Sequence, residues 1–243
     1  GEILNFLRSE CVKKGQLTPH YHYVSRPPFT EAEAVRRAIY LAGQTDTPLY
    51  IAHMTCREAI AELQKAKGTG QRVSGETCTH YLTTTKEVLD NPDFNEAAKF
   101  VCSPALRDRE DCEALWQALS DGLLTAVSSD HCGIDVAELK QAGRNDFTQI
   151  PNGSPGAGDR LHMVWTEGVC TGKLTRQKFV DVIATQPAKI NGIYPRKGAL
   201  AVGSDADDVI FDPNYEGTVH LADNPNGVDY NLYEGRRQSG RVE

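Results

Sequence analysis

Two apolar runs each end on a residue that can titrate. Pro48-Leu49-Tyr50-Ile51-Ala52-His53-Met54-Thr55 reads as a strand with His53 at its exit. Leu123-Leu124-Thr125-Ala126-Val127-Ser128-Ser129-Asp130-His131-Cys132 reads as a buried strand with Asp130 just past its carboxyl end. In parallel α/β folds that end is where chemistry sits. A lone aspartate after a strand more often satisfies loop amides, and it is the pairing with His53 that points to chemistry. Between the two lies Arg72-Val73-Ser74-Gly75-Glu76-Thr77-Cys78, a third short strand. Helical patterns separate the three, which makes them parallel neighbours and points His53 and Asp130 into one mouth.

The positioning elements can be read on both sides of these strands. Ile3, Leu4, Leu7 and Cys11 have helical spacing, closed by Gly15. Residues 18–28 carry prolines at both ends and no sustained apolar run, the pattern of an extended loop. His20 and His22 lie in it with the spacing of a metal-binding pair, but no strand precedes them and they read as loop residues. Thr30-Glu31-Ala32-Glu33 has the form of a capping box, opening a helix to Gln44 with Val35, Ile39 and Ala42 on one face. Cys56 to Lys67 repeats the pattern through Ala59, Ile60, Leu63 and Ala66, and Gly68 closes it. A short helix is expected over 83–89 and a break at Asn91-Pro92-Asp93. Phe100 to Arg107 runs apolar into a proline loop, followed by an amphipathic helix over 111–119 built on Leu115, Trp116 and Leu119. From Cys132 to about Asp159 the chain is irregular, and a loop of that length in a compact domain is more often functional than idle. Helices are expected over 160–170 and 175–185, the second with Phe179, Val180, Ile183 and Ala184 inward and an interruption at Gln186-Pro187. The run Gly198 to Pro213 holds two β-like stretches around a polar turn and marks the start of a small β-structure near residue 196.

Composition narrows the class. Forty per cent hydrophobic and 24% charged over 243 residues is ordinary for a globular enzyme. A net charge of -7, from 26 basic and 33 acidic residues with no basic cluster, argues against a nucleic-acid or polyanionic partner. No run approaches a membrane span and no signal peptide is visible, so a cytoplasmic protein is expected. Seven cysteines without a CxxC pair fit reduced thiols. The chain opens in Gly-Glu-Ile-Leu as if within a helix, and reads as part of something longer.

Seven stretches, in order, resemble the dihydropyrimidinases and hydantoinases of the cyclic amidohydrolase superfamily. They are Arg26-Pro27-Pro28 with Glu31 and Glu33, His53-Met54-Thr55-Cys56, Gly75-Glu76-Thr77-Cys78 and Ser103-Pro104-Ala105-Leu106-Arg107. Ser129-Asp130-His131-Cys132, Asp146 to Gly153 and Gly203-Ser204-Asp205-Ala206-Asp207 complete the set. The resemblance spans essentially the whole chain. It implies an α/β fold, the C-terminal portion of a (β/α)8 barrel over residues 1–195, with part of a small β-sandwich domain over 196–243.

It also implies chemistry. Such enzymes open a cyclic amide with two zinc ions held by four histidines, a bridging carboxylated lysine and an aspartate. His53 and Asp130 match the last histidine and the aspartate. Zinc lowers the pKa of a bound water to about 7, and the resulting hydroxide attacks the ring carbonyl. Asp130 would bind metal, accept the hydroxide proton and pass it to the departing ring nitrogen. The product is an N-carbamoyl amino acid. Ser103 and Asn152 match positions that hold the imide or ureide edge of the substrate, largely through backbone groups. His131 and Cys132 would support Asp130, with core packing an equal reading for Cys132; His80 reads as structural. The remaining ligands, the bridging lysine among them, belong upstream of residue 1, and His20-Tyr21-His22 cannot replace them. The chain by itself is therefore expected neither to close a barrel nor to hydrolyse substrate. The family implies a homotetramer acting on small cyclic ureides or imides.

Two other readings are weighed. Dihydropyrimidinase-like scaffold proteins lack the metal-binding His and Asp and differ where Asn152 stands, so all three residues favour the enzyme. Allantoinase and dihydroorotase share the metal chemistry, but Ile150-Pro151-Asn152-Gly153 favours the dihydropyrimidinase side. Hydantoin against dihydropyrimidine stays open.

Overall fold

The computed structural model describes residues 1–223 and 225–243. Three short strands, β1 (Leu49–Ile51), β2 (Val73–Cys78) and β3 (Ala126–Ser128), pair in parallel in that order. Ile51 is in register with Gly75 and Cys78 with Ser128, so the residues leaving β1 and β3 emerge on one rim. Parallel pairing demands crossovers, and these are helical. Helices α1 (Glu2–Lys13), α2 (His20–Val24) and α3 (Pro28–Gln44) precede β1, and α4 (Arg57–Gly68) joins β1 to β2. The second crossover contains α5 (Thr79–Thr83), α6 (Phe94–Ala98) and α7 (Arg109–Ser120).

One face of the sheet is apolar and buried. Ala59, Ile60, Leu63 and Ala66 of α4 are all buried, as their 3.6-residue spacing requires, and pack with Met54, Val73, Leu124 and Val127. Gly75 sits where this contact is tightest: a Cβ there would lie 2.7 Å from Met54 Sδ and 3.1 Å from Leu63 Cδ2. The opposite face is polar, with the Tyr50 hydroxyl donating to Glu76 at 2.6 Å and Cys78 Sγ 3.2 Å from Ser128 Oγ. The first amide of α4 has no cap from its own chain segment. Buried Asp111 of α7 supplies one, accepting from Arg57 N at 3.0 Å and Arg57 Nε at 3.1 Å.

After β3 the chain is irregular apart from 3-10 turns at Lys140–Gly143 and Phe147–Gln149. Helix α8 (Arg160–Val164) runs into a π-helical turn at Trp165–Val169. Helix α9 (Arg176–Val180), a π-helical turn at Asp181–Thr185 and α10 (Gln186–Ile190) are continuous. Strands β4 (Phe211–Thr218) and β5 (Arg237–Val242) form an antiparallel ribbon. The Phe211 ring lies 5.0 Å from Trp165, which ties the ribbon to the helical layer.

Five local expectations differ from the fold. Residues 20–24 are a helical turn rather than extended loop, because Pro19 itself takes helical angles and starts the turn, and His22 is buried by it. There is no capping box: α3 begins at Pro28, the Thr30 hydroxyl donates to Pro27 O at 2.8 Å, and Glu33 accepts from Arg37 Nη2 at 3.2 Å. Pro187 does not interrupt its helix, since the π turn before it shifts the hydrogen-bond register around the missing N–H. The same widening rotates the apolar face, burying Val182 and leaving Val180 and Ala184 exposed. In the run from Gly198 the strand starts only at Phe211, and Leu200, Val202 and Val209 are exposed.

Candidate active site

His53 and Asp130 each stand two residues beyond a strand end, and each has left-handed backbone, φ 42° and 44°. The only other non-glycine residue so placed among those described is Asp46. A side chain in that region is held at a cost of about 1–2 kcal/mol, so the surrounding structure must enforce it. For His53 the enforcement is visible. Met54 N donates to Glu76 O at 2.8 Å, and Thr55 N donates to Glu31 Oε1 at 2.7 Å. Thr55 Oγ1 also donates to Glu31 Oε2 and accepts from Arg107 Nε at 2.9 Å, while Arg107 Nη2 reaches Glu31 at 3.1 Å. The peptide after His53 is thus clamped by a buried ion pair drawn from α3 and the loop before α7.

His53 is half-buried in a cleft of about 550 Å³ that Tyr50, Glu31, Ser103 and Arg107 also line. His80 lies near it in the core; burial first, then the neighbouring His53, pushes its pKa down to about 3. Asp130 is exposed. Neither the His53 ring nor the Asp130 carboxylate hydrogen-bonds another described residue. One strand separates them, a spacing of roughly 10 Å between β1 and β3 backbones.

Two further loops meet on the same rim. Ser103 Oγ donates to Asn152 Oδ1 at 2.9 Å, and both residues are exposed. Gly153 N donates to Val101 O at 3.0 Å. Gly153 has φ 145°, and a Cβ there would lie 2.7 Å from Cys132 Sγ, so only glycine lets the Asn152 loop lie against the segment leaving Asp130. That segment is fixed by Cys132 N donating to Ser154 O at 3.0 Å and by His131 Nδ1 accepting from Gly156 N and Ala157 N, each at 3.4 Å.

The family profile described as the amidohydrolase family matches residues 29–236. The chain belongs to the amidohydrolase family. It is 47% identical to a D-hydantoinase from Ralstonia pickettii over 99% of its own length and 52% of that relative's. Among solved structures, a D-hydantoinase superposes with a TM-score of 0.97 at 46% identity, covering 100% of this chain and 53% of that one. A dihydropyrimidinase from Brevibacillus agri gives 0.97 at 42% identity, covering 100% and 52%. The chain thus spans about half the length of the relatives it matches, and its fold is that of the corresponding part of the (β/α)8 amidohydrolase barrel.

In this member of the amidohydrolase family the structure brings Ser103 and Asn152 into contact, and sets His53 and Asp130 on the same rim. His131 and Cys132 bond to the 154–157 segment rather than to the Asp130 carboxylate, and Cys132 is exposed rather than in the core. His22 is buried, its ring Nε2 2.7 Å from Cys102 O, whereas His20 is exposed beside Asp90. The Glu31–Thr55–Arg107 clamp had only a motif match to reveal it. Buried Lys140 had no signal, because a lysine in a polar stretch looks like any solvated one.

Proposed function

We propose that the protein carrying this chain hydrolyses the ring amide of dihydropyrimidines or 5-substituted hydantoins, giving N-carbamoyl amino acids. The supporting observation is the pair His53 and Asp130: left-handed, free of competing hydrogen bonds within the described residues, and on one rim of a parallel sheet. The names of the relatives, D-hydantoinase and dihydropyrimidinase, fit the same substrate class.

Neutral imidazole and carboxylate are zinc donors, and both side chains are uncommitted, so they fit a zinc site as part of its ligand set. A catalytic zinc takes three protein ligands. Among the described residues no group of three His, Cys, Asp or Glu is placed to hold a metal. His53 and Asp130 would hold zinc together with ligands outside this chain, a carboxylated lysine among them. Zinc supplies a water whose pKa falls to about 7 and a Lewis acid for the carbonyl oxygen.

The chain's own residues do the rest. Asp130 accepts the proton of the attacking water and returns it to the ring nitrogen as the C–N bond breaks. His53 is a ligand whose position is fixed through Thr55, Glu31 and Arg107. Ser103 and Asn152 hold the ureide edge, and His131 with Cys132 anchors the backbone next to Asp130. The assembly we propose is a cytoplasmic homotetramer. No helix of the described residues is long and apolar enough to cross a membrane.

The test is turnover of dihydrouracil and a 5-substituted hydantoin by the zinc-loaded protein and by two variants. Asp130→Asn is expected to lose about 100- to 10,000-fold in kcat, the usual value of general acid–base help. His53→Ala is expected to lose zinc and activity while keeping the wild-type circular dichroism. Wild-type turnover in both variants, or no ring opening by the metal-loaded protein, would overturn the reading, the latter in favour of a scaffold protein.

A further inference from the structure

We propose that Lys140 is a positioning residue for the substrate, locking the loop of Asn152 onto the loop of Ser103. This rests on the reading of those two residues as holders of the ureide edge. The Lys140 side chain is fully buried, with 0% exposure, yet forms no ion pair among the described residues. Its Nζ donates instead to Ala98 O at 2.8 Å, Val101 O at 3.2 Å and Gly153 O at 2.7 Å. An ammonium has three donors and no acceptor, so all three are used.

The acceptors come from both sides of the candidate substrate edge. Val101 lies two residues before Ser103, and Gly153 follows Asn152 directly. Gly153 is gripped twice, its N–H on Val101 O at 3.0 Å and its carbonyl on Lys140. The lysine enters from a third segment, in the 3-10 turn after β3, where its own amide donates to Asp135 O at 3.1 Å. Burial pushes its pKa down to about 8, which leaves it protonated at neutral pH with every donor available. Packing alone does not explain the residue. A methionine fills the same length without burying an ammonium, a costly group when unpaired. What the charge adds is three bonds that tie the end of α6 and the loop of Ser103 to the loop of Asn152.

The experiment uses the zinc-loaded protein with Lys140→Met and Lys140→Arg. Amide hydrogen exchange over 150–154 reports the clamp, and kinetics on dihydrouracil report positioning. Lys140→Met is expected to speed exchange at Gly153 and raise KM about 10- to 100-fold, the scale of a misplacement near 1 Å, with zinc content retained. Lys140→Arg keeps the charge with displaced donors and is expected to shift both readouts in the same direction by less; it stands in if the methionine variant does not fold. Unchanged exchange and unchanged KM overturn the clamp. Faster exchange with KM untouched overturns the positioning role by showing that Ser103 and Asn152 do not hold substrate. A fall in melting temperature alone assigns Lys140 to stability and also overturns the proposal.

Discussion

At the scale of the residue, the two candidate metal ligands sit on strained backbone. His53 and Asp130 occupy left-handed backbone that a glycine would take more easily. Selection for stability alone would put glycine there; a side chain kept at that cost points to use. Asp130→Gly is therefore expected to stabilise the metal-free protein by about 1 kcal/mol while abolishing turnover. Asn tolerates the same angles, so Asp130→Asn is expected to leave stability unchanged. Urea unfolding after chelation checks this, since bound metal would otherwise add its own stabilisation. A glycine variant less stable than wild type would mean that the loop, not the active site, requires the aspartate.

At the scale of the element, a single buried ion pair holds α3, the β1 exit and the loop before α7 together. Arg107 is 3% exposed and Glu31 10%, and each has hydrogen bonds beyond the pair itself. Removing one partner strands the other's charge. Glu31→Gln is expected to cost about 3–5 kcal/mol, while Glu31→Leu with Arg107→Met costs less than the sum of the two single changes. A double-mutant cycle in urea measures it, and strict additivity would rule out the clamp. Which elements exist was readable from periodicity: α1, α4, α7 and the three parallel strands stand where the apolar spacing puts them. Their ends were less so. The Thr30–Glu33 pattern mimics a capping box, but Pro28 opens the helix two residues before Thr30, so Thr30 bonds back to Pro27 O and Glu33 pairs with Arg37 one turn on. Pro187 reads as a break because sequence alone does not reveal the π turn that accommodates it.

At the scale of the whole molecule, two buried histidines set the acid limit. Burial pushes the pKa values of His22 and His80 down from 6.5 to about 3. Between those values the unfolded chain binds a proton at each site and the folded chain does not. Stability is therefore expected to fall as pH drops from 6.5 towards about 3, by about 1.4 kcal/mol per pH unit for each histidine. Urea midpoints at pH 7, 5.5 and 4.5 measure the slope. In His22→Gln, which keeps a donor for Cys102 O, the slope should be shallower; an equal slope would mean that His22 accepts a proton while folded.

By itself the sequence determined that strand and helix alternate, that His53 and Asp130 follow strands, and that Ser103 and Asn152 lie in proline-flanked loops. These are local properties, carried by side-chain periodicity and turn chemistry within a few residues. What needed the folded chain was that Ser103 meets Asn152, that Glu31 reaches from α3 to Thr55 and Arg107, and that Lys140 is buried between two loops. Each of these depends on which distant atoms compete for a donor or a charge. That competition is settled by burial and distance, which the order of residues along the chain does not contain.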